Sequence, residues 1–127
     1  MLAMPLKRIV LPTLALLAAT VPGSARPAQS SFDGGWSVVI ATDAGTCGAS
    51  YRYGVVVAGG RIIYAGDGSV AISGAVDPRG RVTVSLRSGD SAAQGSGRLS
   101  GSAGQGRWQG VSSGARCSGH WVAERRG

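Results

Sequence analysis

From Trp36 onward, apolar and polar residues alternate with a period of two, and turn-forming residues recur about every 8 to 12 positions. The segment from Arg81 to Arg87 alternates without exception. No stretch after Trp36 has the periodicity of an amphipathic helix. The pattern therefore predicts an all-β domain with eight strands, at residues 36–42, 49–58, 61–66, 70–76, 81–87, 92–99, 105–111 and 117–126.

The residues between the predicted strands favour tight turns. Gly59-Gly60 is suited to a two-residue hairpin, and Asp77-Pro78-Arg79-Gly80 has Pro at the second position of a turn. Short strands joined in this way predict an antiparallel meander, which removes its exposed edges by closing into an up-and-down barrel. A two-sheet β-sandwich is the alternative, because strand spacing does not separate the two folds.

The alternation gathers the large apolar residues on one face of the predicted strands. The interior of an eight-stranded barrel is wide enough either to be filled by side chains or to hold one small ligand. Since the strands are short and the chain has three Trp and three Tyr, we expect a filled interior, with a hollow one that holds a small ligand as the alternative. The predicted inner face comprises Trp36, Val38, Ile40, Tyr51, Tyr53, Val55, Val57, Ile62, Tyr64, Val70, Ile72, Val82, Val84, Leu86, Leu99, Trp108 and Trp121.

The first 25 residues have the three regions of a secretory signal peptide. Lys7 and Arg8 precede an apolar stretch at residues 9–21, and small residues follow up to Ala25. The apolar stretch is shorter than the roughly 20 residues that span a bilayer. We predict cleavage after Ala25, a linker at residues 26–35 and the barrel at residues 36–127. The protein is expected in the periplasm or outside the cell, without a membrane span after cleavage.

Cys47 and Cys117 are the two cysteines of the chain, and both lie in the part predicted to be exported. In an oxidising compartment such a pair forms a disulfide. Cys47 follows the first predicted strand and Cys117 begins the last, so the bond would join these strands at one rim of a closed barrel. A zinc site is disfavoured because His120 is the only histidine and no Cys-x-x-Cys pair occurs. We therefore expect no metal and no cofactor.

Composition adds a basic charge and many glycines. The net charge is +7 with 22 Gly, and no Lys remains after residue 25. Arginine is suited to phosphate and carboxylate contacts, so weak affinity for anionic surfaces is expected. The arginines are scattered, which argues against specific binding of nucleic acid. The Gly-rich stretch at residues 95–110 is not followed by a helix, so we interpret it as coiled or bulged strands rather than a phosphate loop.

Gly34-Gly35-Trp36, at the start of the first predicted strand, resembles the Gly-x-Trp motif of the calycins, the superfamily of lipocalins and avidin-like barrels. In that superfamily an Arg from the last strand covers the Trp. The resemblance implies that Trp36 and Arg125 form a barrel-closing pair, and a guanidinium over an indole is a favourable contact. Most of the chain after the signal peptide also resembles small exported proteins of Gram-negative soil bacteria. This second resemblance implies no activity and no site residues.

The titratable residues do not predict an active site. His120 is predicted to point outward, without an acidic residue at a spacing that would pair with it. The aspartates are separated and lie mostly in turns, and no nucleophile elbow occurs. We therefore expect a protein that is not an enzyme, with a hydrolase of unrecognised site as the alternative.

The loops at the rim that carries the predicted disulfide are the expected binding region, because polar loops on a rigid scaffold often carry function. We expect a non-enzymatic binding protein that takes a small apolar ligand in the barrel mouth or a macromolecule across the loops. The alternative is an interaction or inhibitor module with a solid core, which meets a cell-envelope or extracellular partner through its Arg-rich exterior. The candidate ligand-binding residues are Asp43, Tyr51, Asp67, Asp90 and Arg116.

Overall fold

A computed structural model describes residue 3 and residues 31–126, and every regular element in this part of the chain is a β-strand. The predicted signal peptide at residues 1–25 and its cleavage site lie outside the described residues, residue 3 apart. The strands are β1 (Gly34–Ala44), β2 (Ser50–Ala58), β3 (Arg61–Tyr64), β4 (Ala71–Val76), β5 (Arg81–Ser88), β6 (Ser91–Ser100), β7 (Ala103–Ser112) and β8 (Ala115–Arg126).

The eight strands form a closed antiparallel barrel in sequence order. Each strand pairs with the next, and β1 also pairs with β8, so no strand has a free edge. The up-and-down barrel is confirmed, and the alternative of a β-sandwich is wrong. Tight turns make this order possible, since Gly59 and Gly60 adopt φ angles of 57° and 78° that suit a two-residue hairpin.

The disulfide is also confirmed. Cys47, in the loop after β1, is bonded to Cys117 of β8; the two residues are separated by 70 positions in sequence, and their Cα atoms lie 6.0 Å apart. Cys117 is buried, and Cys47 is partly exposed. The bond therefore joins the loop after the first strand to the last strand at one rim of the barrel.

The hydrophobic core lies at the opposite end of the barrel, where β1 begins and β8 ends. We call this the closed end, and the rim with the disulfide the open end. Phe32, just before β1, belongs to the core although it falls in the segment predicted as a linker. The buried core residues are Phe32, Trp36, Val55, Val57, Ile62, Val76, Val82, Leu99, Trp121 and Ala123.

The contact between Arg125 and Trp36 closes this end. The guanidinium of Arg125 lies over the Trp36 ring, 4.7 Å from its centroid. The same guanidinium donates hydrogen bonds to the carbonyl oxygens of Asp33 and Ser31, each at 2.7 Å. Trp36 donates from Nε1 to the carbonyl of Phe32 at 2.9 Å. The segment before β1 is thereby fastened across the closed end, and it covers the core.

The glycines of β6 and β7 make room for a tryptophan. The two strands pair from Ala92 to Ser100 without a shift of register. Of the two expectations for this stretch, bulged strands are therefore wrong, and coiled strands stay a prediction. A Cβ atom at Gly106 would lie 2.5 Å from the ring of Trp121, and one at Gly97 would also overlap that ring. The residues at these positions are small because the indole lies against the backbone of both strands.

Candidate functional site: a cavity at the open end

The barrel interior contains a cavity of about 240 Å³, whose lining runs from the open end to the buried core residues. Trp36, Trp108 and Trp121 all border it, and aliphatic side chains such as Ile72 and Val84 form much of its wall. The cavity reaches from the mouth down to core residues such as Val57, Val76 and Leu99, while Phe32 does not border it. The expectation of a filled interior is therefore wrong, because the inward-facing side chains leave this space between them.

The cavity lining carries no charged side chain among the described residues. The indole N–H groups of the three tryptophans are also engaged by the backbone. Trp36 donates to Phe32, Trp108 donates to Ala41 at 2.9 Å, and Trp121 donates to Ser96 at 3.2 Å. The deep part of the cavity thus presents an apolar surface to whatever enters it.

Hydroxyl groups surround the mouth of the cavity. The Tyr51 hydroxyl donates to the carbonyl of Cys47 at 3.1 Å, and the Ser88 hydroxyl donates to the carbonyl of Ser69 at 3.1 Å. The hydroxyls of Ser91 and Ser112 lie 2.7 Å apart and share a hydrogen bond. The side chain of Tyr51 is 48% exposed, so the cavity opens to solvent beside it.

Tyr53 lines the cavity below this ring of hydroxyls. Its ring packs edge-on against Tyr64, with 5.9 Å between the ring centroids. Partial burial raises the pKa of Tyr53, and the neighbouring Tyr51 and Tyr64 add to the effect. The phenol is therefore protonated at neutral pH and is available as a hydrogen-bond donor.

The five residues predicted to bind a ligand all lie around the open end, but the structure separates them. Only Tyr51 borders the cavity. Arg116 lines a groove on the outer wall, and Asp90 lies exposed in the turn between β5 and β6. These residues stay predictions as binding residues, and the cavity itself is formed largely by residues of the inner face.

Asp67 has a local structural contact in the loop between β3 and β4. Its carboxylate accepts hydrogen bonds from the hydroxyl and the backbone N–H of Ser69. These two bonds, the hydroxyl first, lower the pKa of Asp67 below its usual value. The geometry is that of an Asp that stabilises its own turn.

Asp43 pairs with His120 on the outside of the barrel, which the sequence spacing did not predict. His120 Nδ1 lies 2.9 Å from Oδ2 of Asp43, and both side chains are about half exposed. The pairing of β1 with β8 shifts register between Thr42 and Ala44, and this irregularity brings Asp43 beside His120. Neither residue borders the cavity.

A shallow groove of about 520 Å³ runs across the outer faces of β5 to β8 near the open end. Arg87 and Arg116 lie at the same level on its two sides, because Arg87 pairs with Ala92, Ala92 with Val111, and Val111 with Arg116. The three strand spacings between the arginines correspond to roughly 14 Å. Among residues 31–126, no acidic residue lines the groove.

The described residues contain no cluster of three or more His, Cys, Asp or Glu side chains placed to hold a metal ion. They also contain no helix long and apolar enough to cross a membrane. Comparison with known proteins finds no matching family model, no matching curated protein and no matching solved structure. Within the described part of the chain, the cavity and the outer groove are the candidate sites considered for a function.

Proposed function

We propose that this chain is an exported, non-enzymatic binding protein that holds a small apolar ligand inside a calycin-like barrel. The supporting observation is the cavity of about 240 Å³ with its apolar interior and hydroxyl-lined mouth. Small-molecule sites are typically concave and mostly apolar, with a few polar groups that orient the ligand. The disulfide is compatible with export, since such bonds persist in oxidising compartments.

The cavity volume limits the size of the ligand. An engineered cavity of about 150 Å³ in another protein takes up benzene. By proportion, this cavity of about 240 Å³ would hold roughly ten non-hydrogen atoms. The ligand we propose is therefore the size of a substituted benzene or a bicyclic ring, and a long acyl chain or a steroid would not be enclosed.

The position of the titratable groups supports binding rather than catalysis. Asp43 and His120 are the closest pair of such groups near the open end, and both lie on the outer wall. General acid and base groups must reach the atoms that react. A ligand inside the barrel would be out of reach of this pair.

Isopropylbenzene is a suitable probe, and its binding to the purified protein can be measured by isothermal titration calorimetry. In the variant Val84→Phe the larger ring would occupy the cavity, because Val84 is flanked by Gly74 and Gly95 on the neighbouring strands. We expect this variant to lose binding. The matched control is Thr83→Phe, which places the same ring on the exposed side of the same strand and should leave binding unchanged. Absence of binding by the unmodified protein, or equal effects of the two variants, would contradict the proposal.

A second candidate function is binding of an acidic polysaccharide in the outer groove, which would make the exterior an interaction surface for a cell-envelope partner. Arg87 and Arg116 supply positive charge on both sides, while Ser85, Gln94 and Gln109 offer hydrogen bonds to sugar hydroxyls. The groove contains no aromatic side chain on which nucleic-acid bases would stack.

Retention on immobilised polygalacturonate at low salt tests this second candidate. The double variant Arg87→Ala with Arg116→Ala should elute at much lower salt than the control Arg61→Ala with Arg98→Ala, which removes the same charge from exposed positions elsewhere. Equal loss in both would show that only net charge matters. Tighter binding to duplex DNA than to the polysaccharide would favour a nucleic-acid partner instead.

A further inference from the structure

The polar atoms of the cavity define the chemical class of its ligand, and this inference rests on the proposed function. A lining without Lys, Arg, His, Asp or Glu cannot pair with a charged ligand. Transfer of an unpaired charge into such a site is strongly unfavourable. The ligand should therefore be uncharged.

The indole and most hydroxyl donors of the lining are occupied within the protein, and the exposed amide of Gln94 also borders the outer groove. The three indole N–H groups bind backbone carbonyls, and the hydroxyls of Tyr51 and Ser88 do the same. The Ser91–Ser112 pair has two hydroxyl protons and uses one in its mutual bond, so it keeps one proton at the mouth.

Tyr53 is different, because its hydroxyl has no hydrogen-bond partner among the described residues. It lies on the inner face of β2, between the apolar interior and the hydroxyl-lined mouth, and its ring is fixed against Tyr64. This hydroxyl is accessible to water within the cavity, so a bound acceptor oxygen would take the place of water as its hydrogen-bond partner. This donor is therefore placed to select a ligand.

We propose that the cavity binds an uncharged ring compound carrying one carbonyl or ether oxygen, and that Tyr53 donates the hydrogen bond that recognises this oxygen. The apolar part of the ligand lies against Trp108 and Trp121, and the oxygen lies toward the mouth. Tyr53 is in this account a residue that determines specificity, whereas the apolar wall supplies most of the affinity.

Three probes of equal non-hydrogen atom count separate these contributions. Acetophenone has the carbonyl oxygen, isopropylbenzene has a methyl group in its place, and benzoate has a negative charge. In calorimetric titrations at neutral pH we expect Tyr53→Phe to weaken acetophenone binding by roughly two- to tenfold, which is the usual net effect of one hydrogen bond. Binding of isopropylbenzene should be unchanged, and benzoate should bind the unmodified protein at least roughly tenfold more weakly than acetophenone.

The matched control is Tyr64→Phe, which removes the hydroxyl of a neighbouring inner-face tyrosine that does not border the cavity. We expect it to leave the affinities of all three probes unchanged. Equal effects of Tyr53→Phe on acetophenone and isopropylbenzene, or equal binding of benzoate and acetophenone, would overturn this inference while the proposed function stands. Failure of all three probes to bind would overturn the proposed function and this inference together.

Discussion

Replacement of Gly106 by Ala tests whether the glycines of the inner face exist to accommodate Trp121. Gly106 of β7 pairs with Gly97 of β6 on one side and with Trp121 of β8 on the other. A Cβ atom at Gly106 would lie 2.5 Å from Cε2 of Trp121 and would also overlap the carbonyl oxygen of Ser96. Trp121 is only 5% exposed, so its ring has little freedom to move away. Overpacking of this kind typically lowers the free energy of unfolding by about 1–3 kcal/mol.

Urea denaturation followed by tryptophan fluorescence measures this loss. The control is Gly54→Ala, because a Cβ atom at Gly54 meets nothing within 4 Å and the residue lies exposed within β2. Gly in a strand usually makes the folded protein less stable than Ala does, because Gly loses more conformational entropy on folding. We therefore expect Gly54→Ala to raise the free energy of unfolding by about 0.5–1 kcal/mol. Opposite signs for the two variants support the account. A Gly106→Ala protein as stable as the unmodified one would refute it.

Three further predictions concern the ends of the barrel. No free thiol should be titratable in the unfolded, unreduced protein, and one or two titratable thiols would contradict the disulfide. Reduction of Cys47–Cys117 should lower the free energy of unfolding by about 4 kcal/mol, measured by urea denaturation with and without reductant. Arg125→Ala should destabilise the protein by about 2–3 kcal/mol through loss of its carbonyl hydrogen bonds and the Trp36 contact, whereas the exposed Arg61→Ala should change stability by less than about 0.5 kcal/mol. Hydrogen bonds from the backbone N–H groups of Arg81 and Arg79 lower the pKa of Asp77 in the folded protein. The ionised Asp77 carboxylate therefore contributes stability above its unfolded pKa of about 4, and this contribution is lost as the pH falls through the lower folded pKa. The stability difference between the unmodified protein and Asp77→Asn should therefore shrink below about pH 4, and a difference that stays constant in that range would be the contrary result.

The topology could be predicted from the sequence because it depends on local signals. Period-two alternation and turn residues such as Gly59-Gly60 define the strands, and the positions of Cys47 and Cys117 indicate which strands must meet. Even so, the strand ends differ from the prediction. β1 begins at Gly34, two residues before Trp36, and residues 65–70 form one loop between β3 and β4.

The cavity could not be predicted in the same way. Alternation identifies which residues face inward, but the free volume depends on how side chains are distributed along the barrel axis. Phe32 belongs to the core without bordering the cavity, and small residues such as Gly95 and Ala93 leave space along the cavity wall. The contact of Asp43 with His120 was missed for a related reason, since it depends on an irregularity in strand pairing that no sequence spacing encodes.

The most direct test of the central claim is the position of a bound probe inside the barrel. Intermolecular nuclear Overhauser effects between the isopropyl protons of isopropylbenzene and the methyl groups of Ile72 and Val84 can be measured in solution. We predict strong effects to these two inner residues. Effects confined to the exposed Ile63 and Val122 of the outer wall, or no intermolecular effects at all, would contradict the account.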